Sequence, residues 1–281
     1  MRTYLKVRGD QVEEAKKEVV REQPLAISVD GERFVTLLCS PMKLEALVVG
    51  YLWMEKVVAA VGEIERLEIS EVDGTAAVTL TRPVTLPTER ILTSGCGGGI
   101  TFRIDHRLFP RLHSSRRVTT AALSERMKDL FAAAEHYQRS RGIHGAALTD
   151  GERLLVVAED VGRHNAVDRV KGEALLAGLP TEDLILLSTG RISSEMLLKA
   201  ARMGVPVVAS RTSPTEMAIC LAEQLNITVC GYVRPGSLDL YAGDALVHIE
   251  GGLDGPLRAS PANRVAPAEP APEQRISPTR P

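Results

Sequence analysis

From residue 144 onward the chain alternates between short apolar runs and longer amphipathic ones, and this alternation restricts the fold more than any other feature. "HGAALTDGERLLVVAED" reads as a hairpin whose second strand is strongly apolar, and "RHNAVDRVKGEALL" reads as a helix. "DLILLS" is a buried-type strand, "SSEMLLKAARMG" a helix closed by Gly204, and "VPVVAS" a second strand. "SPTEMAICLAEQL" is again helical, "ITVCGYV" a strand, and "SLDLYAG" a last one. Strands that alternate with helices of this length build an α/β layer with substantially parallel pairing.

The first half has a different rhythm. "LAISV" and "RFVTLL" flank Asp30-Gly31, and "IERLEIS" and "TAAVTL" flank Asp73-Gly74, so residues 25–81 contain two hairpins. Between them Ser40-Pro41 has the form of an N-cap with proline at the first helical position, which predicts a helix over about 41–57. A second helix is expected over 122–138, with Leu123, Met127, Leu130 and Phe131 on one face. "TRPVTLPTERILTSGCGGG" between the halves is irregular, and the proline- and alanine-rich stretch from about 252 has no periodicity. The expected division is an N-terminal α+β subdomain over 1–95, a glycine-rich cysteine loop and connector over 96–118, an α/β domain over 119–251 and a disordered tail over 252–281.

Composition removes several classes of function. A net charge of −2 supplies no global basic field, and 4% aromatic residues make a poor base-stacking platform, so no nucleic-acid partner is expected. The most apolar run, "ALVVGYLWM" (46–54), lies between Glu45 and Glu55 and falls far short of the ~20 residues a membrane span needs. "MRTYLKVRGDQVEEAKKEVV" lacks the apolar core of a secretory signal, and a cytoplasmic location without membrane association is the default. Cys39, Cys96, Cys220 and Cys230 are far apart and form no C-x-x-C pair, which argues against both a disulfide framework and a zinc site.

At three places an apolar strand runs into a polar turn that opens a helix: "EDVGRHN" (159–165), "STGRISS" (188–194) and "SRTSPT" (210–215). The first turn of a helix presents unpaired N–H groups and a partial positive charge. Each turn adds an arginine, Arg163, Arg191 or Arg211, and guanidinium suits phosphate. Thr189 and Ser210 add hydroxyls. Gathered beyond the carboxyl ends of one sheet, the three turns would form a pocket for a phosphorylated ligand such as a nucleotide. Taken singly, each turn also fits an ordinary cap, and "SPTE" has the form of a capping box with Ser213 at the N-cap and Glu216 at N3. His164 could meet a ligand, shuttle a proton or bond to the neighbouring loop, and Asp168 reads as a paired or solvated carboxylate.

In "LTSGCGGGIT" one thiol, Cys96, stands among Gly95, Gly97, Gly98 and Gly99. A thiolate is a nucleophile, and an arm of glycines lets one sulfur visit two places, which suits a carrier. A cysteine hydrolase with His106 or His113 as base, and a glycine loop that cradles phosphate, are the competing readings. Cys39, Cys220 and Cys230 lie in apolar segments and read as inert buried thiols.

"AEDVGRHNAVDRVKG" (158–172), "STGRISSEMLLKAARMGVPVVASRTSPTEMAICLAEQLNITVCGYVRPG" (188–236) and "TERILTSGCGGG" (88–99) together closely resemble the formate dehydrogenase accessory sulfurtransferases, the FdhD-type sulfur carriers. The resemblance spans roughly residues 20 to 250. It implies a cytidine-deaminase-like three-layer domain without the deaminase zinc site, and His164-Asn165-Ala166 indeed departs from the H-x-E of those enzymes. It implies a homodimer that takes persulfide sulfur from a cysteine desulfurase on the residue matching Cys96. The sulfur would pass to the molybdenum or tungsten cofactor, a bis(molybdopterin guanine dinucleotide), for the catalytic subunit of formate dehydrogenase. GDP or GMP would then act as a partial mimic. The cofactor-binding segment of the family matches Tyr232, Val233, Arg234, Pro235, Gly236 and Ser237, while Arg163, His164 and Asn165 fit the nucleotide pocket together with Thr189, Arg191, Ser210 and Arg211. Many members carry C-G-x-C in the loop, but here Gly99 takes the second position, so Cys96 must deliver sulfur directly or with an external reductant. A chaperone that holds the molybdenum cofactor without moving sulfur is the alternative.

Overall fold

The computed structural model describes residues 1–86, 90–92, 100–102, 109–243 and 247–248. Cys96, Gly99 and the expected disordered tail lie outside the described residues.

The alternating second half forms one six-stranded sheet. Its strands are β10 (His144–Thr149), β11 (Leu154–Asp160), β12 (Ile185–Ser188), β13 (Val207–Ser210), β14 (Thr228–Arg234) and β15 (Ser237–Ala242). Their spatial order is β11-β10-β12-β13-β14-β15. Only β12, β13 and β14 pair in parallel; β10, β11 and β15 join antiparallel, so the sheet is mixed rather than predominantly parallel. Hairpin connections account for both antiparallel ends, since a short turn can only reverse the chain.

Both faces of the sheet are covered. Leu148, Leu186, Val208 and Val229 face the helices α4 (Arg163–Leu176), α5 (Ser194–Arg202) and α6 (Glu216–Leu225), whereas Ala147, Ile185, Leu187 and Cys230 face α2 (Thr120–Ala133). The switch of face at each step along β12 is the period of two expected of a strand. The expected helix over 122–138 is broken at Ala134, and α3 (Glu135–Ser140) follows. Glu159 causes the second start: its carboxylate accepts the backbone N–H groups of His136 at 3.1 Å and Tyr137 at 2.7 Å.

The N-terminal part holds a four-stranded sheet, β4-β3-β6-β5, made by β3 (Gln23–Val29), β4 (Glu32–Cys39), β5 (Ile64–Ser70) and β6 (Thr75–Leu80). Both expected hairpins are present, and Asp30 and Gly31 take the positive φ of 50° and 83° that their tight turn requires. Helix α1 (Leu44–Met54) is apolar all round and buried on nearly every side. It packs on this sheet through Leu44, Leu47, Val48, Tyr51 and Leu52 and on α4 through Gly50. There the two helices touch backbone to backbone: a Cβ on Gly50 would lie 1.8 Å from the Asp168 carbonyl oxygen, and one on Gly172 equally close to that of Ala46.

Two expected caps are corrected. Helix α1 starts after Lys43, held at φ 44°, and not at Pro41. Ser40 is tied to the other sheet instead: its N–H donates to Asp160 and its hydroxyl accepts from Val161 N–H. Helix α6 is capped by Thr215, whose hydroxyl accepts from Ala218 N–H at 3.3 Å, because Ser213 and Pro214 form a bridge with Ile192. The N-terminal hairpin of β1 (Arg2–Arg8) and β2 (Gln11–Lys17) has no counterpart among the expected elements. Short strands complete the chain order: β7 (Arg90–Leu92) pairs with β8 (Ile100–Phe102), and β9 (Val118–Thr119) with β16 (Val247–His248).

Candidate functional site

Because β10 runs antiparallel to both β11 and β12, strands β11, β12, β13 and β14 all end at the same edge of the sheet. Asp160, Ser188, Ser210 and Arg234 are their last residues. The three polar turns and the Tyr232–Ser237 segment therefore meet at one edge.

The turns are bound to one another. Arg211 N–H donates to the Ser188 carbonyl, Thr215 N–H to that of Ile192, and the buried Ser210 hydroxyl to that of Gly190 at 2.6 Å. Thr189 Oγ1 accepts from Gly145 N–H at 3.0 Å. Both predicted hydroxyls are thus committed to holding the turns in place. Gly190 lies directly on Arg163, where an added Cβ would come within 2.9 Å of the arginine's own Cβ.

At the β11 end the expected ligand-binding groups turn inward. Arg163 and His164 are buried, and His164 Nε2 lies 3.0 Å from Ser193 Oγ and 3.3 Å from Glu195. Burial first, then the charges of Lys199, Arg163 and His144, pull its pKa down to about 2. The neutral imidazole is therefore favoured across the physiological range, and its contact with Ser193 is the expected bond to the neighbouring loop. Burial and Arg163 also lower the pKa of His144. The Asn165 amide donates to the Leu38 carbonyl and to Asp160, fastening α4 to β4. Arg169, which the sequence does not single out, forms a fully buried 2.5 Å ion pair with Asp160 and donates to the Ser40 and Met42 carbonyls. Asp168 is the paired carboxylate: Lys199 lies 2.6 Å away, and Asp168 and Glu195 together raise the lysine's pKa although burial opposes its charge.

At the β13–β14 end the charges turn outward. A cavity of about 280 Å³ is lined by Ser124, Met127, Lys128, Phe131, Tyr137, Arg141, Arg211, Val233, Arg234 and Pro235. Its described lining holds four cations and no carboxylate. Arg211 donates to the Val233 carbonyl at 3.0 Å and lies 5.8 Å from the Phe131 ring. Arg234 donates to the Arg211 carbonyl at 2.6 Å, so the two arginines brace each other. A guanidinium carries five donors, and these bonds leave several on each fork for an anion. Phe131 and Tyr137 meet edge to face at 5.2 Å and give the cavity an aromatic wall beside its cations.

Of the residues expected from the sequence to bind the cofactor, Arg211, Val233, Arg234 and Pro235 line this cavity. Arg191 is exposed at the same edge but does not line it, and Tyr232, at φ 47°, is exposed on the strand before it. Lys128, Tyr137 and Arg141 are absent from the sequence-based set. Ser124, Met127, Lys128 and Phe131 recur at the i, i+3, i+4, i+7 spacing of one helical stripe, a signal that periodicity alone assigns to core. Among the described residues no group of three or more His, Cys, Asp or Glu side chains gathers to hold a metal.

The model of the FdhD/NarQ family matches residues 20–248. The chain belongs to this family. It is 40% identical over 237 residues to the sulfur carrier protein FdhD of Bacillus subtilis strain 168, covering 82% of this chain and 90% of that one. It is 38% identical over 229 residues to the sulfur carrier protein FdhD of Staphylococcus haemolyticus strain JCSC1435, covering 79% and 87%. Among solved structures, one described as a formate dehydrogenase accessory protein from Desulfotalea psychrophila superimposes with a TM-score of 0.75 at 25% identity, over 88% of this chain and 98% of that one. The FdhD/NarQ match begins after the β1–β2 hairpin and takes in both sheets and the cationic cavity.

The cysteines of this FdhD/NarQ member need one correction. Cys39 and Cys230 are buried, and burial pushes both thiols up to about 12. Cys220, expected to be buried, is exposed, because it falls on the outer side of the amphipathic helix α6.

Proposed function

We propose that this chain is the sulfur carrier that matures formate dehydrogenase. Cys96 attacks the persulfide of a cysteine desulfurase, the desulfurase thiolate leaves, and the terminal sulfur remains on Cys96 as a new persulfide. The terminal sulfur then passes to the molybdenum cofactor, bis(molybdopterin guanine dinucleotide), before the catalytic subunit of formate dehydrogenase receives it: the S–S bond breaks, Cys96 leaves as its thiolate, and an external two-electron reductant brings the sulfur to the sulfide level. The cofactor is substrate here, and the protein is a cytoplasmic transferase. The domain over 119–251 is taken to be cytidine-deaminase-like.

Family membership supports the carrier role, and the observation that carries the rest is the cavity at the β13–β14 end. A guanine dinucleotide offers phosphates and a flat base. Arg211, Arg234, Arg141 and Lys128 suit the phosphates, and the Phe131–Tyr137 wall suits the base. The buried hydroxyls and the neutral His164 hold the edge in shape.

The test is intact-protein mass after incubation with a cysteine desulfurase and cysteine, comparing wild type, Cys96→Ala and Cys220→Ser. A one-sulfur adduct on wild type and Cys220→Ser that is missing from Cys96→Ala supports the carrier. Labelling that follows Cys220 moves the carrier site to α6. A Cys96→Ala protein that takes up no sulfur yet fully supports formate dehydrogenase activity points to a cofactor chaperone.

A further inference from the structure

The β1–β2 hairpin stands apart from both larger sheets. Among the described residues it is a two-stranded sheet by itself, and nearly every residue in it is exposed, including Leu5, Val7 and Val12. An isolated hairpin is marginal in water, and each of its edges offers unpaired backbone groups to another strand. It also precedes residue 20, where the family match begins.

The two edges differ in charge. Strand β1 carries Arg2, Lys6 and Arg8 and no carboxylate, so two copies of it would repel. Strand β2 reads Gln11-Val12-Glu13-Glu14-Ala15-Lys16-Lys17, which places carboxylates and ammonium groups symmetrically about Ala15.

Backbone geometry selects the register. The Gly9-Asp10 turn is two residues long, with Gly9 at φ 58°, and it closes on the pair Arg8 and Gln11. That closing pair exchanges both backbone hydrogen bonds, so by alternation Glu13, Ala15 and Lys17 turn their backbone groups toward β1. Val12, Glu14 and Lys16 turn theirs toward the open edge. A second β2 strand running antiparallel must match outward groups with outward groups. Pairing Glu14 with the partner's Glu14, or Lys16 with the partner's Lys16, sets like charges opposite each other. Pairing Glu14 with the partner's Lys16 sets Glu13 opposite the partner's Lys17 and Ala15 on the twofold axis, so every charge meets its opposite. This register also relieves a conflict inside the hairpin, where Lys17 is paired with Arg2. Glu13 already makes a 3.3 Å ion pair with Lys6, so the charges would continue as one row across both copies.

We propose that the open edge of β2 is a pairing surface for a second copy of this chain, in the antiparallel register centred on Ala15. The result is a four-stranded sheet in the order β1-β2-β2-β1.

Ala15 then forms a non-hydrogen-bonded pair with its symmetry mate, at a Cα separation of ~4.5 Å, which a disulfide can span. The experiment uses the full chain carrying Ala15→Cys on a Cys96→Ala, Cys220→Ser background under mild oxidation, with Leu5→Cys as control. Cross-linked dimer is expected from Ala15→Cys at many times the control level. Adding Glu13→Lys with Glu14→Lys, or Lys16→Glu with Lys17→Glu, should each reduce it several-fold, and mixing the two charge variants should restore it. Cross-linking equal to that of Leu5→Cys, or insensitive to charge reversal, would overturn the proposal. Oligomeric mass alone would not decide the matter, because a dimer built through another face leaves the thiol introduced by Ala15→Cys unlinked.

Discussion

The β11 end and the β13–β14 end of the sheet carry the same sequence signal, an arginine where a strand gives way to a polar turn, and use it in opposite ways. At the β11 end every carboxylate and amide is matched within the fold: Asp160 with Arg169, Asn165 with Leu38, and Lys199 with Asp168 and Glu195. At the β13–β14 end Arg211 and Arg234 are joined by Lys128 and Arg141 around a cavity whose described lining has no carboxylate. The difference lies in what packs above the turn. Helix α1 and strand β4 close over the first, while among the described residues α2 and α3 stand beside the second. Position in the fold, and not the local motif, separates groups fastened inside the fold from groups that face a cavity.

Removing charge at the two ends should break different properties. Arg169→Met strands the Asp160 carboxylate in the interior and should cost about 3–5 kcal/mol, read as the shift in denaturant unfolding free energy. A loss below about 1 kcal/mol would show that this end is not the fastened one. Gly172→Ala pushes a methyl into the Ala46 carbonyl and should destabilise by about 3 kcal/mol, the upper end for overpacking, because neither partner is a side chain that can turn aside.

Acid should weaken the β11 end first. His164 stays neutral in the folded protein down to about 2, whereas an unfolded imidazole takes a proton near 6.5. Between those values the unfolded chain binds more protons, so stability falls as pH falls. From about pH 6.5 to about pH 5 the loss should approach about 2 kcal/mol, and His164→Gln should flatten that slope. An unchanged slope would assign the acid sensitivity to other groups.

The opposite signature is expected at the cavity. Arg211→Gln should weaken GDP binding about tenfold by calorimetry, or about 1.4 kcal/mol, and move the unfolding free energy by less than that. Equal weakening by Arg191→Gln, which lies outside the cavity, would move the anion site along the edge. The smallest effect is chemical: in Cys96→Ala a thiol alkylator should add one label to the native protein, at exposed Cys220, and none at Cys39 or Cys230.

Strand and helix order, both Asp-Gly hairpins and the edge that gathers the turns were legible because they follow from period and turn chemistry. The details that failed depend on partners distant in sequence. Ser40 has the form of a cap, but Asp160 and Val161, on another sheet, take its donor and its hydroxyl. The stripe Ser124-Lys128-Phe131 has the form of core because nothing local shows that a cavity separates part of it from Arg234 and Pro235. Arg169 carried no signal, since a mid-helix arginine is normally solvated and its burial is set by the α1–α4 crossing. The β1–β2 hairpin went unseen because its strands have no apolar face to a core, only charges alternating with a few exposed aliphatic side chains.

Both histidines at the edge, His144 and His164, are held below their ordinary pKa, and the arginines there do not titrate. Lowering both imidazoles favours their neutral forms, so the positive potential from these groups near neutrality comes mainly from the arginines. If Cys96 is the carrier as proposed, a variation of sulfur delivery with pH near neutrality would report on its thiol and persulfide more than on these edge groups.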